Sequence, residues 1–127
     1  MAKVIFLGTA AAIASKNRDN TCLLIIEGKE KVLIDCPGSP LLKLERLNID
    51  YQKISNILLT HSHIDHIYGL FSLLHSQYKL NNTVRIFGHK KTIATVRILR
   101  KIFHLKDTNK YPKVIFREVS PFMNGPF

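Results

Sequence analysis

The chain has 127 residues, 46% hydrophobic and 22% charged, enough for one domain with its own core and too few for two domains or for a complete eight-stranded β/α barrel of about 250 residues. Nineteen Lys and Arg against nine Asp and Glu give a formal charge of +10, yet the apolar fraction is too high for a disordered basic tail. No run approaches the roughly 20 apolar residues of a membrane span, and the start Met1-Ala2-Lys3-Val4-Ile5 lacks a signal-peptide layout, so a cytoplasmic location is expected.

In chain order, Val4-Ile5-Phe6-Leu7 is a short apolar run stopped by Gly8. Cys22–Ile26 and Val32–Ile34 flank Glu27-Gly28-Lys29-Glu30, which predicts a hairpin with a four-residue turn. Pro37-Gly38-Ser39-Pro40 breaks the chain, and Ser39 as N-cap with Pro40 at the first helical position opens a short helix carrying Leu41, Leu44 and Leu47. Ile54 and Ile57-Leu58-Leu59-Thr60 predict a buried strand. Ile67, Leu70, Phe71 and Leu74 then recur at helical spacing, predicting one amphipathic helix to about Tyr78. Val84–Phe87 is a strand, Ile93, Val96, Leu99 and Phe103 line a third helix, and Val114-Ile115-Phe116 begins a last strand. Strands alternating with helices imply an α/β layered fold, helices packed on a sheet. Gly8-Thr9-Ala10-Ala11-Ala12 has neither the Gly-Lys-Ser/Thr ending nor the glycine spacing of a phosphate-binding loop, so a tight turn is expected there.

Charge is unevenly placed. Residues 1–78 hold eight basic against seven acidic residues, whereas residues 79–127 hold eleven against two, Asp107 and Glu118. A basic half of this kind suits RNA or another polyanion, with Lys90, Lys91, Arg97, Arg100 and Lys101 as candidate contacts; a solvated helix face is the alternative. Cys22 and Cys36 are the two cysteines; their spacing matches no zinc knuckle, and reduced, partly buried thiols are expected.

The informative segment is His61-Ser62-His63-Ile64-Asp65-His66, four potential metal ligands in six residues at the junction of a strand and a helix. In extended backbone His61 and His63 project to the same side, and Asp65 and His66 can swing toward it as the chain turns. Imidazole and carboxylate suit Zn²⁺ and its first-row neighbours, and so short a run can serve two ions about 3.5 to 4 Å apart, which lower the pKa of water and make a nucleophile without serine or cysteine. The alternative is Asp65 as an N-cap with three separately placed histidines. Three imidazoles packed together without a metal, however, repel when protonated. Of the other histidines, His75 lies about 13 Å along the predicted helix from His66, His104 closes a helix, and His89 follows a strand where α/β sheets place ligands.

HSHIDH resembles the His-x-His-x-Asp-His motif of the metallo-β-lactamase superfamily, and FLGTAAAIAS near the start, LIDC at 33–36 and LLTHSHIDHIYGL resemble its ribonuclease Z-like branch over residues 3 to about 118. The resemblance implies half of a four-layer αββα fold, with one mixed sheet and helices on one face, spanning 1–127. It also implies a dinuclear zinc site (Mn²⁺ or Fe²⁺ as alternatives) with His61 and His63 on one ion, Asp65 and His66 on the other, and Asp65 also a catalytic proton acceptor. Asp35 would support the metal loop from behind, although a turn-forming role before Cys36-Pro37-Gly38 stays open. The implied activity is phosphodiester hydrolysis by a metal-activated hydroxide, in the manner of a tRNA-processing nuclease. Ribonuclease Z-like sequences continue LIDC with Gly and an acidic residue. Here Cys36-Pro37-Gly38-Ser39-Pro40 follows, so a different specificity is expected from this loop. The motifs of a second α/β half, which supply the remaining ligands, are not found, so the chain is expected to be truncated and to self-associate or meet a complementing second chain. The alternatives are hydrolysis of another ester on the same scaffold, or an incomplete fragment acting as a partial metal binder or interaction module.

Overall fold

In the computed structural model, which describes residues 1–120, six strands form one mixed sheet in the order β1-β2-β3-β4-β5-β6. The strands are β1 (Lys3–Gly8), β2 (Cys22–Glu27), β3 (Glu30–Ile34), β4 (Asn56–Leu59), β5 (Thr83–Gly88) and β6 (Lys113–Glu118). The first three are antiparallel and β3 to β6 are parallel. Parallel neighbours need crossovers, and these are supplied by α1 (Pro40–Arg46), α2 (Ile64–Ile67) with α3 (Leu70–Ser76), and α4 (Lys90–Ile102). Because such crossovers share one hand and the strand order advances in one direction, all the helices fall on the same face. The expected mixed sheet with helices on one face is what the residues form. The domain boundary expected at 127 lies outside the described residues.

That face carries the core. Leu24, Leu33, Ile57 and Ile86 sit opposite one another across four strands and are fully buried, under Leu44, Leu70, Leu73, Leu74, Ile93 and Val96 from the helices. On the opposite face the alternate residues Phe6, Leu23, Ile34, Leu58 and Phe87 also pair in register. No described helix covers this second apolar row, and Phe6 at its edge is 69% exposed.

Three local expectations need correction. The hairpin turn is two residues, Gly28-Lys29, because Glu27 and Glu30 still pair in the ladder and Gly28 takes the left-handed φ of +57° that a tight turn requires. Ser39 stands at the N-cap of α1, but its side chain makes no capping bond. The long helix expected from Ile67 to Tyr78 is broken into α2 and α3. The break falls where Gly69 lies against the 36–38 loop: its N–H donates to the Cys36 carbonyl at 2.8 Å, and a Cβ there would stand 2.5 Å from the Gly38 carbonyl oxygen. Periodicity reports which residues are buried; it does not report this close backbone approach.

Candidate metal centre

The parallel strands end at the same edge of the sheet, and β4 runs directly into the histidine segment. His63 is the N-cap of α2 and Asp65 lies in its first turn, so the N-cap role weighed for Asp65 is not the one it takes. The segment brings imidazoles together: the His61 ring lies 4.0 Å from that of His66 and 4.6 Å from that of His63, centroid to centroid.

Asp35 holds this arrangement from beneath. It follows β3 in left-handed backbone at φ +57°, so it does turn the chain, but its carboxylate is 2% exposed and occupied on both oxygens. Oδ1 accepts the Thr60 N–H at 2.8 Å, while Oδ2 accepts the Thr60 hydroxyl at 2.7 Å and pairs with His66 Nδ1 at 2.6 Å. The Cys36 N–H donates to the His66 carbonyl at 2.8 Å, closing the same loop through the backbone. Thr60 escaped the sequence reading. The signal for it was its place between the last strand residue and His61, one strand over from Asp35.

These contacts dictate where the imidazole protons sit. A carboxylate can only accept, so His66 Nδ1 carries a proton, and in the neutral ring Nε2 keeps a lone pair. Thr60 gives its hydroxyl proton to Asp35, so its oxygen accepts from His61 Nδ1 at 3.0 Å, and in the neutral ring of His61 the Nε2 lone pair is likewise free. A metal requires such lone pairs. His66 Nε2 then faces Asp65 Oδ2 at 3.3 Å. A proton on Nε2 or a metal ion can bridge these two atoms, and about 3.3 Å is also the ligand-to-ligand edge of a tetrahedron with bonds of about 2.0–2.1 Å, the length of Zn–N and Zn–O. The donors therefore fit a first-row divalent metal in chemistry and, for Asp65 and His66, in spacing. Among the described residues, no three His, Cys, Asp or Glu side chains form a complete site.

The remaining histidines are used elsewhere. His75 packs against Tyr111 with ring centroids 5.7 Å apart. His89 is the N-cap of α4, its Nδ1 accepting the Lys91 N–H at 3.4 Å. His104 follows α4 in left-handed backbone. Cys22 and Cys36 are free and fully buried, more deeply than expected. Burial pushes the Cys22 thiol up to about 12, which suits a hydrogen bond to the Asp35 carbonyl at 3.2 Å rather than metal ligation.

The loop before β2 is tied in by an ion pair. Lys43 Nζ lies 2.7 Å from Asp19 Oδ2, beside Gly38, where a Cβ would collide with that carboxylate. Burial pushes the Asp19 carboxyl up, but the bond and charge of Lys43 and the Asn20 N–H outweigh it, and the net shift is downward.

Comparison with known proteins follows the same lines. The sequence profile described as Anti-Pycsar protein Apyc1 matches residues 2–118. A Ribonuclease Z of Listeria welshimeri is 31% identical over 124 residues, covering 94% of this chain and 40% of that protein. Human tRNase Z, short form, superposes with a TM-score of 0.78 at 26% identity over 97% of this chain and 46% of its own. The metallo-β-lactamase fold protein YhfI of Bacillus subtilis gives 0.74 at 22% identity, with 94% and 47% covered. The resemblance read from HSHIDH and its flanks therefore holds for family relationship and fold. The chain spans well under half the length of the curated relatives it matches.

Proposed function

The chain belongs to the Anti-Pycsar protein Apyc1 family, and on that premise we propose that it is the amino-terminal α/β half of a divalent-metal-dependent hydrolase that cleaves a phosphodiester. The observation that carries this reading is His66 Nε2 standing 3.3 Å from the Asp65 carboxylate, with the His61 ring 4.0 Å from that of His66 and both rings engaged at Nδ1. His61 and His63 would hold one ion, Asp65 and His66 a second, with zinc favoured by the imidazole-rich donors. When bound, such ions supply Lewis acidity toward water and toward a phosphoryl oxygen. Asp65 would accept a proton from the attacking water, and Asp35 fixes the ring of His66 while Thr60 fixes that of His61. RNA is the favoured polyanion among phosphodiesters, supported by the names of the Listeria and human relatives, and the cytoplasm is the compartment that suits it.

The test is hydrolysis of bis(4-nitrophenyl) phosphate and of an RNA oligonucleotide with added Zn²⁺ or Mn²⁺. Turnover that disappears in Asp65→Ala, with phosphomonoesters left uncut, supports the proposal; cleavage of carboxylic esters alone contradicts it. Metal uptake without any hydrolysis selects the second reading, a partial metal binder and interaction module. One observation favours that reading: the apolar row Phe6, Leu23, Ile34, Leu58 and Phe87 on the face no described helix covers. Contiguous exposed apolar patches mark contact surfaces, so a second copy or a complementing polypeptide is expected to cover it. A monomer by light scattering at high concentration would contradict that part.

A further inference from the structure

Opposite the histidine segment, at the amino-terminal edge of the parallel strands, the molecule presents a different surface. The α4 helix starts beside the metal-ligand edge and runs back for 13 residues, about 20 Å at 1.5 Å per residue. There the loop after it meets the loop before β5, joined by the Lys79 N–H and the Lys110 carbonyl at 2.7 Å. Two adjoining open hollows share Lys110 and Tyr111 here: one of about 590 Å³ on the 101–111 segment, reaching Lys101, His104, Lys106 and Asp107, and one of about 210 Å³ between the two loops, reaching Lys79 and Asn81.

The base of this region is rigid. Arg100 is 9% exposed, and its guanidinium donates to the Leu105 carbonyl at 3.1 Å and the Pro112 carbonyl at 3.4 Å. It is therefore a loop fastener, and it drops out of the polyanion contacts expected from sequence. Gln77, fully buried, donates to the carbonyls of Tyr51 and Ile54 and accepts from Asn82 at 2.7 Å. Arg97 is also engaged, lying 4.3 Å over the Phe116 ring. Lys101, Lys106 and Lys110 remain exposed around the larger hollow and Lys79 beside the smaller one, against the single acid Asp107, whose contact with Lys110 at 3.7 Å is loose and solvated.

Aromatic rings stand among these lysines. Tyr111 lies 5.7 Å from both Tyr78 and His75, and Tyr78 is 46% exposed with Lys79 Nζ 5.4 Å from its ring centre. Lysines alone would suit any polyanion. Lysines interleaved with accessible rings suit one whose units alternate phosphate and flat base, because each base can stack on a ring while each phosphate meets an ammonium. A duplex hides its base faces, and an acidic peptide has none.

We propose that the two adjoining hollows formed by the 77–82 loop and the 101–112 segment make up a binding site for single-stranded RNA, separate from the metal centre. The lysines track the backbone, and Tyr78 with Tyr111 forms the stacking platform. The site does not depend on the metal reading, since it holds its ligand without cleaving it.

The test is fluorescence anisotropy with labelled oligouridylate in excess EDTA, which silences metal-dependent effects. Reversing three rim charges together, Lys101→Glu, Lys106→Glu and Lys110→Glu, should weaken binding at least ten-fold and flatten the log–log salt slope by about two, since each single-strand phosphate contact contributes about 0.7. Reversing Lys3, Lys16 and Lys29 to Glu makes the same change in net charge elsewhere and should change affinity less than three-fold. Tyr78→Ala should weaken RNA at least five-fold while leaving inorganic polyphosphate unaffected. All these side chains are exposed, and circular dichroism checks that each variant folds. Equal losses from the two triple variants, or a Tyr78→Ala protein that binds RNA as tightly as the parent, would overturn the proposal.

Discussion

The two ends of the sheet present polar side chains by opposite means. At the carboxyl end of β4 the rings of His66 and, through Thr60, His61 are held by a buried carboxylate with both oxygens occupied, so they point in fixed directions. At the far end the lysines are long, exposed and loosely paired, and what is fixed is the floor beneath them, through Arg100 and Gln77. Directional chemistry such as metal ligation depends on the first kind of construction, because an ångström of misplacement costs a ligand. Charge-based recognition of a flexible polymer tolerates the second.

The difference can be broken from the locked end first. Asp35→Ala leaves the Thr60 N–H and hydroxyl and the His66 Nδ1–H without a partner inside the protein, and should cost about 3–5 kcal/mol in urea unfolding. Its zinc affinity should fall about 10- to 100-fold. Gly69→Ala comes next: its methyl group would press on the 36–38 loop, with an expected loss of about 1–3 kcal/mol by the same measurement. A smaller effect follows from Cys22. With the folded thiol near 12 against 9.0 ordinarily, the unfolded chain gives up its proton first as pH rises, so the folded state binds more protons and loses stability above about pH 9. Between pH 8 and pH 10 the parent should lose about 1 kcal/mol more than Cys22→Ala. The smallest effect belongs to the basic end, where Lys106→Ala and Lys110→Ala should each stay within about 0.5 kcal/mol of the parent. A large destabilisation there would mean that the lysines support the fold and that the contrast between the two ends is misdrawn.

What was legible from sequence follows the same division. All six strands could be read from apolar runs because burial against the helices imposes them, and HSHIDH stood out because four donors in six residues have few structural explanations. The route from Asp35 through Thr60 to His61 and His66 joins residues 25 and 31 positions apart, and nothing local in either stretch announces it. The break at Gly69 was hidden for a related reason: a glycine at helical spacing looks like a tolerated defect until another segment's carbonyls are found against it. The basic end was half legible. Net charge located it in the second half of the chain, but periodicity could not tell that Arg100 turns inward while Lys106 and Lys110, in a loop with no pattern, form the rim.

X-ray absorption at the zinc edge, on protein loaded with Zn²⁺ and freed of excess metal, reads the ligands of the histidine segment themselves. Imidazole nitrogen and carboxylate oxygen are expected at about 2.0–2.1 Å, with the nitrogen signal reduced by His61→Ala, His63→Ala or His66→Ala and unchanged by His75→Ala. Zinc retained in full and in the same environment after His63→Ala and His66→Ala are combined would contradict this ligand assignment.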